Sequence, residues 1–557
     1  MSVVFLSSGP PTVDVQRLRA VAAKHNVTVP QEEEEHYRHL LNGLDATADH
    51  IKDLPEYEDP RLKIDPETLP RICPADSRLA GRTVAFKDNV SVGGVPITGG
   101  TFPELLSGKS EYPISKIDAV VVSRVLQSGG TVAGTATCEH FSMSPLSFTS
   151  ASGPVQNPWL PGFTTGGSSS GCAALVAINS VKAWRKRHNL PPIDAELGDG
   201  VDIAVGGDQG GSIRIPACYS GIYGLKPTHG LVPYTGVVPL FPMIDHAGPM
   251  AASLDDLAAL LAVLAGYDGM DPRCTPETPL RQHAPNHLAA LDAWRAAKRA
   301  AGEWTPTAAG RGLRVGVITE SFTVAGLSPA VVAAVRAAVQ QFGAVGASVE
   351  EVSIPEHLVG PSVWTVATRA GIGAYGLRGA PAPFLAPPVA GVAPPPLDQA
   401  AFELLNRHNP AVANMWFNAT LMAERDDCHR LVGKAMMHAL QLRAAYDRAL
   451  DGGAFDVLVA PVNPRVGSRH PALEGSVEDK MRPAIGATLN TCQFNVTGHP
   501  ALSMPAGFAD VEEGGGKMPV GMQLVARRFD EASILKAAAA WEEGGLGLDK
   551  WDGRLPN

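Results

Sequence analysis

The chain contains a glycine-rich stretch that leads to a small nucleophile, Gly206-Gly207-Asp208-Gln209-Gly210-Gly211-Ser212-Ile213-Arg214-Ile215-Pro216-Ala217. It follows a largely apolar run, Val201 to Val205, which predicts a buried strand. A strand that leads into glycines places several backbone N–H groups beside one hydroxyl, because glycine lets the chain turn tightly. This arrangement suits acyl transfer, in which an oxyanion forms next to the attacking oxygen.

The composition is that of a large globular protein. The 557 residues are 45% hydrophobic and 18% charged, so the chain can bury a sizeable core. Acidic residues outnumber basic ones, 56 to 46, which argues against a nucleic-acid partner. The sequence has no apolar window long enough to span a membrane, so we expect no membrane contact.

The cysteines and the first residues favour a cytoplasmic location. The seven cysteines are scattered and form no CxxC pair, which predicts neither a zinc ribbon nor a disulfide framework. Residues 1 to 8 have a short apolar patch without a basic start or a long apolar core, so we expect no secretory signal.

Short β-rich runs alternate with helical segments from about Leu79, which predicts an α/β fold. Residues 1 to 70 differ and predict a helical N-terminal extension, with one helix within Pro11 to Asn26 and another after Pro30. In the main body the patterns predict strands at 83–86, 130–135, 313–319, 347–354 and 455–460, and helices at 116–128, 329–342 and 427–450.

Two segments interrupt this alternation. Ser180 to Gly200 carries a basic cluster, Lys182 to His188, for which we expect a solvated surface helix. Gly379 to Pro396 is rich in proline, alanine and glycine, so it is neither a regular helix nor a central strand. It is either a surface excursion or a lid over the active-site mouth.

Two further motifs lie upstream of Ser212, namely Lys87 in Val84-Ala85-Phe86-Lys87-Asp88-Asn89 and Ser168 in Gly166-Gly167-Ser168-Ser169-Ser170-Gly171. Alone, each has an ordinary alternative: a lysine after a strand is usually exposed, and glycines with serines form turns. In this order, the three motifs resemble the amidase signature family of serine hydrolases. The resemblance extends over roughly residues 79 to 545.

The resemblance implies a Lys87–Ser168–Ser212 relay on a mixed central sheet flanked by helices on both faces, in a catalytic domain of residues 71–557. Ser212 is the nucleophile, a buried Lys87 is the final proton acceptor, and Ser168, on a cis peptide bond, passes the proton between them. The N–H groups of Gln209, Gly210, Gly211 and Ser212 form the oxyanion hole. No metal and no cofactor are implied.

Two features of the serine motifs need comment. Ser168 and Ser212 lie further apart than the resemblance implies, and the excess maps onto the segment 180–200, which predicts a surface insertion. The sequence Gly167-Ser168-Ser169-Ser170-Gly171 also matches a nucleophile elbow with Ser169 as nucleophile. That elbow needs a preceding buried strand, whereas Asn157 to Phe163 is broken by prolines.

The substrate is only partly constrained. Phe141-Ser142-Met143-Ser144 is expected to form the pocket wall opposite the nucleophile, with ordinary core packing as the alternative. The sequence is most similar to the family branch associated with nitrile hydratases, which implies small apolar aliphatic or aromatic amides. Carbamate, anilide or ester hydrolysis remains open. Less favoured are a non-catalytic binding protein and one subunit of an amidotransferase. Expected partners are a small amide or carbamate substrate and a second copy in a homodimer.

Overall fold

A computed structural model describes residues 10–54, 77–115, 117–192, 197–377, 389 and 391–546. Within these ranges ten strands form one mixed sheet, in the spatial order β2-β1-β3-β5-β4-β9-β10-β8-β6-β7. The strands are β1 Thr83–Lys87, β2 Thr131–Ala136, β3 Ile203–Asp208, β4 Tyr223–Lys226, β5 His246–Ala251, β6 Arg314–Ile318, β7 Ser348–Val352, β8 Val457–Pro461, β9 Ala501–Asp510 and β10 Lys517–Val525.

Helices surround this sheet and, in the described ranges, fall into three groups along the chain. The first group is α1 Val15–Ala23, α2 Gln31–Asp53, α3 Pro103–Ser107, α4 Val120–Gln127, α5 Ser170–Arg187 and α6 Arg214–Ser220. The second is α7 Leu254–Leu264, α8 His287–Ala300, α9 Pro329–Ala344 and α10 Gly360–Gly371. The third is α11 Gln399–His408, α12 Pro410–Ala423, α13 Cys428–Leu450, α14 Val477–Met481, α15 Gln493–Thr497 and α16 Glu531–Trp541.

Both faces of the sheet are covered, as predicted. Along β1, Val84 and Phe86 pack in one hydrophobic cluster with α4 and α7, whereas Ala85 packs in another with α5. Leu458 of β8 joins a third cluster with α10 to α13. Successive side chains of a strand point to opposite faces, so both faces need a helical layer to exclude water.

Strand direction divides the sheet into three parts. One flank is parallel, because β1 pairs in parallel with both β2 and β3. The opposite flank is also parallel, with β6 between β7 and β8. The centre, from β3 through β5, β4, β9 and β10 to β8, is antiparallel. Lys87 and Asp208 therefore end neighbouring parallel strands at the same edge of the sheet.

The predicted elements agree with the structure except at some boundaries. Ser328 caps α9, since its side chain accepts a hydrogen bond from the Ala330 N–H. The helix predicted from residue 116 begins only at Val120. The predicted strand at 201–205 begins at Ile203 and continues through the glycines to Asp208. Pairing with β5 holds these glycines in extended conformation, so the turn toward Ser212 starts after Asp208.

The first part of the predicted insertion, residues 180–187, belongs to α5. This helix continues to Arg187, so the basic cluster forms its last turns and its cap, and Ala183, Lys186 and Arg187 are exposed, as expected for a surface helix. Trp184 within the cluster is buried against Trp159, with ring centroids 5.7 Å apart. Trp184 holds the C-terminal end of α5 against the protein, because an aromatic ring buries a large apolar area.

The N-terminal helices pack on the main body. Tyr37 of α2 contacts the rings of Phe402 and Phe417, with centroids 5.9 and 5.4 Å away. Arg425 pairs with Asp45 and Asp49 of α2 at 2.7 and 3.1 Å. These helices therefore share one hydrophobic cluster with α10 to α13.

Candidate active site

Lys87 ends strand β1 with its side chain inside the protein. It is fully buried, and its Nζ donates a hydrogen bond of 2.8 Å to the Ser168 hydroxyl. The side chain lies between the Ser168 turn and the end of β3, where a Cβ on Gly207 would lie 3.6 Å from Lys87 Nζ, so it does not reach solvent. The structure thus brings together the first two residues of the predicted relay.

Ser168 lies in a turn whose two preceding residues, Gly166 and Gly167, leave no room for a side chain. The Gly167–Ser168 peptide bond is cis, as the resemblance implies, and Gly166 has a φ of +79°. A Cβ on Gly167 would lie 2.4 Å from the Ser144 carbonyl oxygen. Gly167 is therefore needed for the Ser168 turn to pack against the Ser144 carbonyl, and Gly166 for it to pack against Pro216 and Tyr219 of α6.

Ser169 joins this turn to the strand before Ser212. Its hydroxyl donates to the Gly207 carbonyl at 3.0 Å and accepts from the Gly207 N–H at 3.1 Å. Its N–H donates to the Ser212 carbonyl at 3.1 Å. These bonds hold the Ser169 hydroxyl on the backbone of β3, which argues against Ser169 as a nucleophile.

Asp208 organises the loop that carries Ser212. Its carboxylate accepts hydrogen bonds from the Gly211 and Ile213 N–H groups at 2.7 and 3.1 Å. It also pairs with Arg214 at 3.0 Å, and both side chains are fully buried. Burial alone would raise the pKa of Asp208, but the charge and hydrogen bonds of Arg214 hold it well below its usual range. Arg214 therefore pairs inside the protein with Asp208.

The predicted oxyanion donors divide into two sets. The Gly211 N–H is already used by Asp208, so its assignment to the oxyanion hole does not fit this structure. Among the described residues, the structure gives no hydrogen-bond acceptor to the N–H groups of Gln209, Gly210 or Ser212. Those three groups are therefore available for a developing negative charge.

Side chains from distant parts of the chain hold two carbonyl groups of this loop. Trp364 of α10 donates its indole N–H to the Gln209 carbonyl at 2.9 Å. The Thr491 hydroxyl donates to the Gly210 carbonyl at 2.5 Å. Because each peptide group is planar, the held Gln209 carbonyl fixes the orientation of the Gly210 N–H, and the held Gly210 carbonyl fixes that of the Gly211 N–H. Neither partner was found from the sequence, since Trp364 lies 155 residues from Gln209.

The structure does not complete the relay between the two serines. Across the described ranges, no hydrogen bond joins the Ser168 hydroxyl to that of Ser212. Ser212 nevertheless lies beside the Ser168 turn through the bond from the neighbouring Ser169 N–H. The proton transfer from Ser212 to Ser168 therefore remains a prediction.

The predicted wall at 141–144 is a strained turn, with Phe141 and Ser142 at φ of +48° and +60°. Phe141 and Ser142 line a cavity together with Asn89, Leu106, Val238 and Leu240. Met143 and Ser144 do not line it. Met143 packs in the core with α10 to α13, and the Ser144 hydroxyl donates to the Leu146 carbonyl.

Part of the predicted lid also borders this cavity. Val392 and Pro394 line it, and the Ala393 N–H donates to the Leu106 carbonyl at 3.0 Å. Of the Pro-rich segment 379–396, residues 379–388 and 390 lie outside the described residues. Val238, Pro239 and Leu240 line the cavity as well.

A buried glutamate, Glu139, supports the Ser168 turn and was not found from the sequence. Its carboxylate accepts hydrogen bonds from Ser170 and from the N–H and hydroxyl of Thr149, at 2.5 to 2.7 Å. Burial raises the pKa of Glu139 to about 7, although these bonds favour its charged form. The one sequence signal for Glu139 is its position two residues before Phe141, at the start of the predicted wall.

The described part of the chain offers no evident metal site and no membrane span. The residues that the structure describes bring together no three His, Cys, Asp or Glu side chains in an arrangement that could hold a metal ion. None of the helices in those ranges combines the length and apolar character of a membrane span.

Known proteins match this chain over most of its length. A family model described as Amidase matches residues 70–183 and 198–535, and its gap falls inside the predicted insertion. An enantioselective amidase from Rhodococcus rhodochrous is 37% identical over 468 residues, covering 83% of this chain and 79% of that protein. The A-type subunit of the glutamyl-tRNA(Gln) amidotransferase from Bordetella petrii is 33% identical over 515 residues, covering 89% and 90%.

Solved structures agree on the fold. A bacterial aryl acylamidase superposes with a TM-score of 0.61 at 21% identity, covering 86% of both chains. The peptide amidase of Stenotrophomonas maltophilia has a TM-score of 0.59 at 23% identity, covering 84% of this chain and 82% of that one. With the family match over most of the sequence, these findings show that the chain belongs to the amidase signature family and is an amidase.

Proposed function

We propose that this amidase hydrolyses small, mostly apolar aliphatic or aromatic amides through an acyl-enzyme on Ser212. The observation that carries this proposal is the buried hydrogen bond of 2.8 Å from Lys87 Nζ to the Ser168 hydroxyl, beside the Ser212 loop. The small cavity beside the Ser168 turn has mostly apolar walls, including Phe141 and Leu240, which disfavours a charged substrate there. The similarity to the enantioselective amidase points the same way.

The proposed reaction begins when the Ser212 hydroxyl oxygen bonds to the amide carbonyl carbon. The Ser212 proton passes to Ser168, whose own proton passes to Lys87 in its neutral form. The negative oxygen is stabilised by the N–H groups of Gln209, Gly210 and Ser212.

The relay then runs in reverse. A proton returns from Lys87 through Ser168 to the departing nitrogen, the C–N bond breaks, and the amine leaves the acyl-enzyme. A water molecule attacks the ester carbon while the relay accepts one of its protons. The carboxylic acid leaves, and Ser212 recovers its hydroxyl hydrogen.

The bond specificity is tested with a panel of amides, anilides, carbamates and esters that share one acyl group. We expect amide cleavage by the wild type and none by Ser212→Ala. Ser123→Ala on α4, outside the site, is the matched control and retains activity. Faster cleavage of carbamates or esters would replace the proposed bond class, and full activity in Ser212→Ala would overturn the nucleophile.

A second candidate function is that of one component of an amidotransferase, because a relative of similar length belongs to such an enzyme. Such a function would require partner subunits. The acidic net charge of −10 gives no support to a tRNA-bound role. Purification of the native protein from its source would test this, since we expect a cytoplasmic homodimer without other subunits.

A further inference from the structure

The cavity beside the candidate active site has one polar atom whose partner is missing. Its volume is about 20 Å³, enough for one water-sized group. Most of its walls are apolar, as with Leu106, Val238 and Leu240. Asn89, two residues after Lys87, lines the same cavity and is only 2% exposed.

The orientation of the Asn89 amide is fixed by its neighbour. Its side-chain Nδ2 donates to the Val238 main-chain carbonyl at 3.2 Å. The Val238 N–H donates back to the main-chain carbonyl of Asn89 at 2.8 Å. If the amide were turned over, Oδ1 would face the Val238 oxygen, which has no hydrogen to donate. The oxygen atom is therefore the group that faces away from Val238.

This Oδ1 atom is buried without a hydrogen-bond partner among the residues that the structure describes. A buried acceptor without a donor is unfavourable, so native proteins rarely keep one without a purpose. The available space fits one small group, and the missing chemistry is an N–H or O–H donor.

Asn89 is also linked to the candidate oxyanion loop. Gln209 donates its side-chain N–H to the Tyr234 hydroxyl at 2.9 Å. The same hydroxyl interacts with the Asn89 side chain. Tyr234 therefore connects the Asn89 side chain to that of Gln209, which lies three positions before Ser212 in the candidate oxyanion loop.

We propose that Asn89 Oδ1 selects substrates by accepting a hydrogen bond from one small donor group, an –NH2 or an –OH. This inference rests on the proposed function, because the donor belongs to the amide substrate. Two parts of a substrate carry this chemistry: the carboxamide –NH2 itself, and a hydroxyl substituent on the acyl group. Apolar walls with a single acceptor would exclude a charged carboxylate from this position.

The test measures ligand binding by calorimetry in the Ser212→Ala background, where turnover does not interfere. Phenylacetamide is compared with methyl phenylacetate, which lacks the –NH2, and with 2-hydroxy-2-phenylacetamide, which adds an –OH. Asn89→Leu removes the acceptor at similar volume. Asn89→Asp keeps an acceptor oxygen but loses the donor to Val238, so it reports any purely structural role.

We expect Asn89→Leu to reduce the preference for one donor-bearing ligand by about tenfold or more, and Asn89→Asp to retain it. A change in the amide-to-ester ratio identifies the –NH2, and a change in the hydroxyl ratio identifies the –OH. Equal weakening of all ligands, or identical behaviour of the two variants, would overturn the inference. Turnover of phenylacetamide by the wild type tests the proposed function separately.

Discussion

Two regions of the molecule each contain ion pairs, buried in one region and partly exposed to solvent in the other. At the Ser212 loop, Asp208 and Arg214 are fully buried and form a pair of 3.0 Å. At the contact of α2 with the body, Arg425 meets Asp45 and Asp49 with side chains that are 18, 19 and 46% exposed. Water can replace a lost partner in the second region but not in the first. Charge therefore fixes geometry at the site and only assists packing at α2.

The largest expected effect is on catalysis. Lys87→Met keeps the buried volume but removes the amine that contacts Ser168 at 2.8 Å. We expect kcat to fall by about 10²- to 10⁴-fold, because a positioned base contributes that much. Steady-state kinetics and circular dichroism together check the result, since a folded variant with unchanged kcat would remove Lys87 from the relay.

The next effect concerns stability at the buried pair. Asp208→Ala leaves Arg214 buried without its counter-charge. We expect the free energy of unfolding in urea to fall by about 3–5 kcal/mol. Asp49→Ala on α2 is the matched control and should change it by less than about 1 kcal/mol. Similar losses in the two variants would contradict the comparison.

A smaller effect follows from Glu139. Its pKa is raised from 4.5 to about 7 in the folded protein. Between these values the folded state retains a proton that the unfolded chain releases, so stability falls as pH rises through this window and levels off above pH 7. Glu139→Gln should reduce this decrease in the free energy of unfolding by at most about 3 kcal/mol.

Urea unfolding of the wild type and Glu139→Gln across that window checks the prediction. The buried Asp245, whose pKa is raised by burial to about 7 despite nearby Arg273, remains in both proteins. The difference between the two profiles therefore isolates Glu139. Parallel profiles would show that Glu139 carries no such linkage.

The smallest effect is expected at α2. Arg425→Met keeps the apolar stem and removes the pairs with Asp45 and Asp49. We expect the free energy of unfolding to fall by about 1 kcal/mol or less, and the difference to shrink at high salt, because the pairs are partly solvated. A larger loss of unfolding free energy that does not change with salt would contradict the comparison, because the α2 contact would then behave like the buried Asp208–Arg214 pair.

The same contrast explains what the sequence could predict. Apolar runs and caps are local, so the strand at Thr83–Lys87 and the cap at Ser328 could be predicted. Lys87, Ser168 and Ser212 stood out because they lie in compact motifs. The partners that fix the site are distant in sequence: Trp364 reaches Gln209 across 155 residues. No local pattern reports such a contact.

The errors have physical causes too. The Gly211 N–H belongs to Asp208 because a carboxylate at the end of β3 satisfies the first donors of the following turn. Met143 and Ser144 do not line the cavity, and they follow Phe141 and Ser142, whose backbone conformations are left-handed. Both outcomes depend on backbone dihedral angles, which residue types constrain only weakly.

The identity of the nucleophile is tested most directly by reaction with a serine-directed fluorophosphonate, followed by peptide mass mapping. The account predicts one adduct, on the peptide that contains Ser212, and none in Ser212→Ala, while Ser123→Ala is labelled like the wild type. An adduct on Ser169, or undiminished labelling of Ser212→Ala, would contradict it.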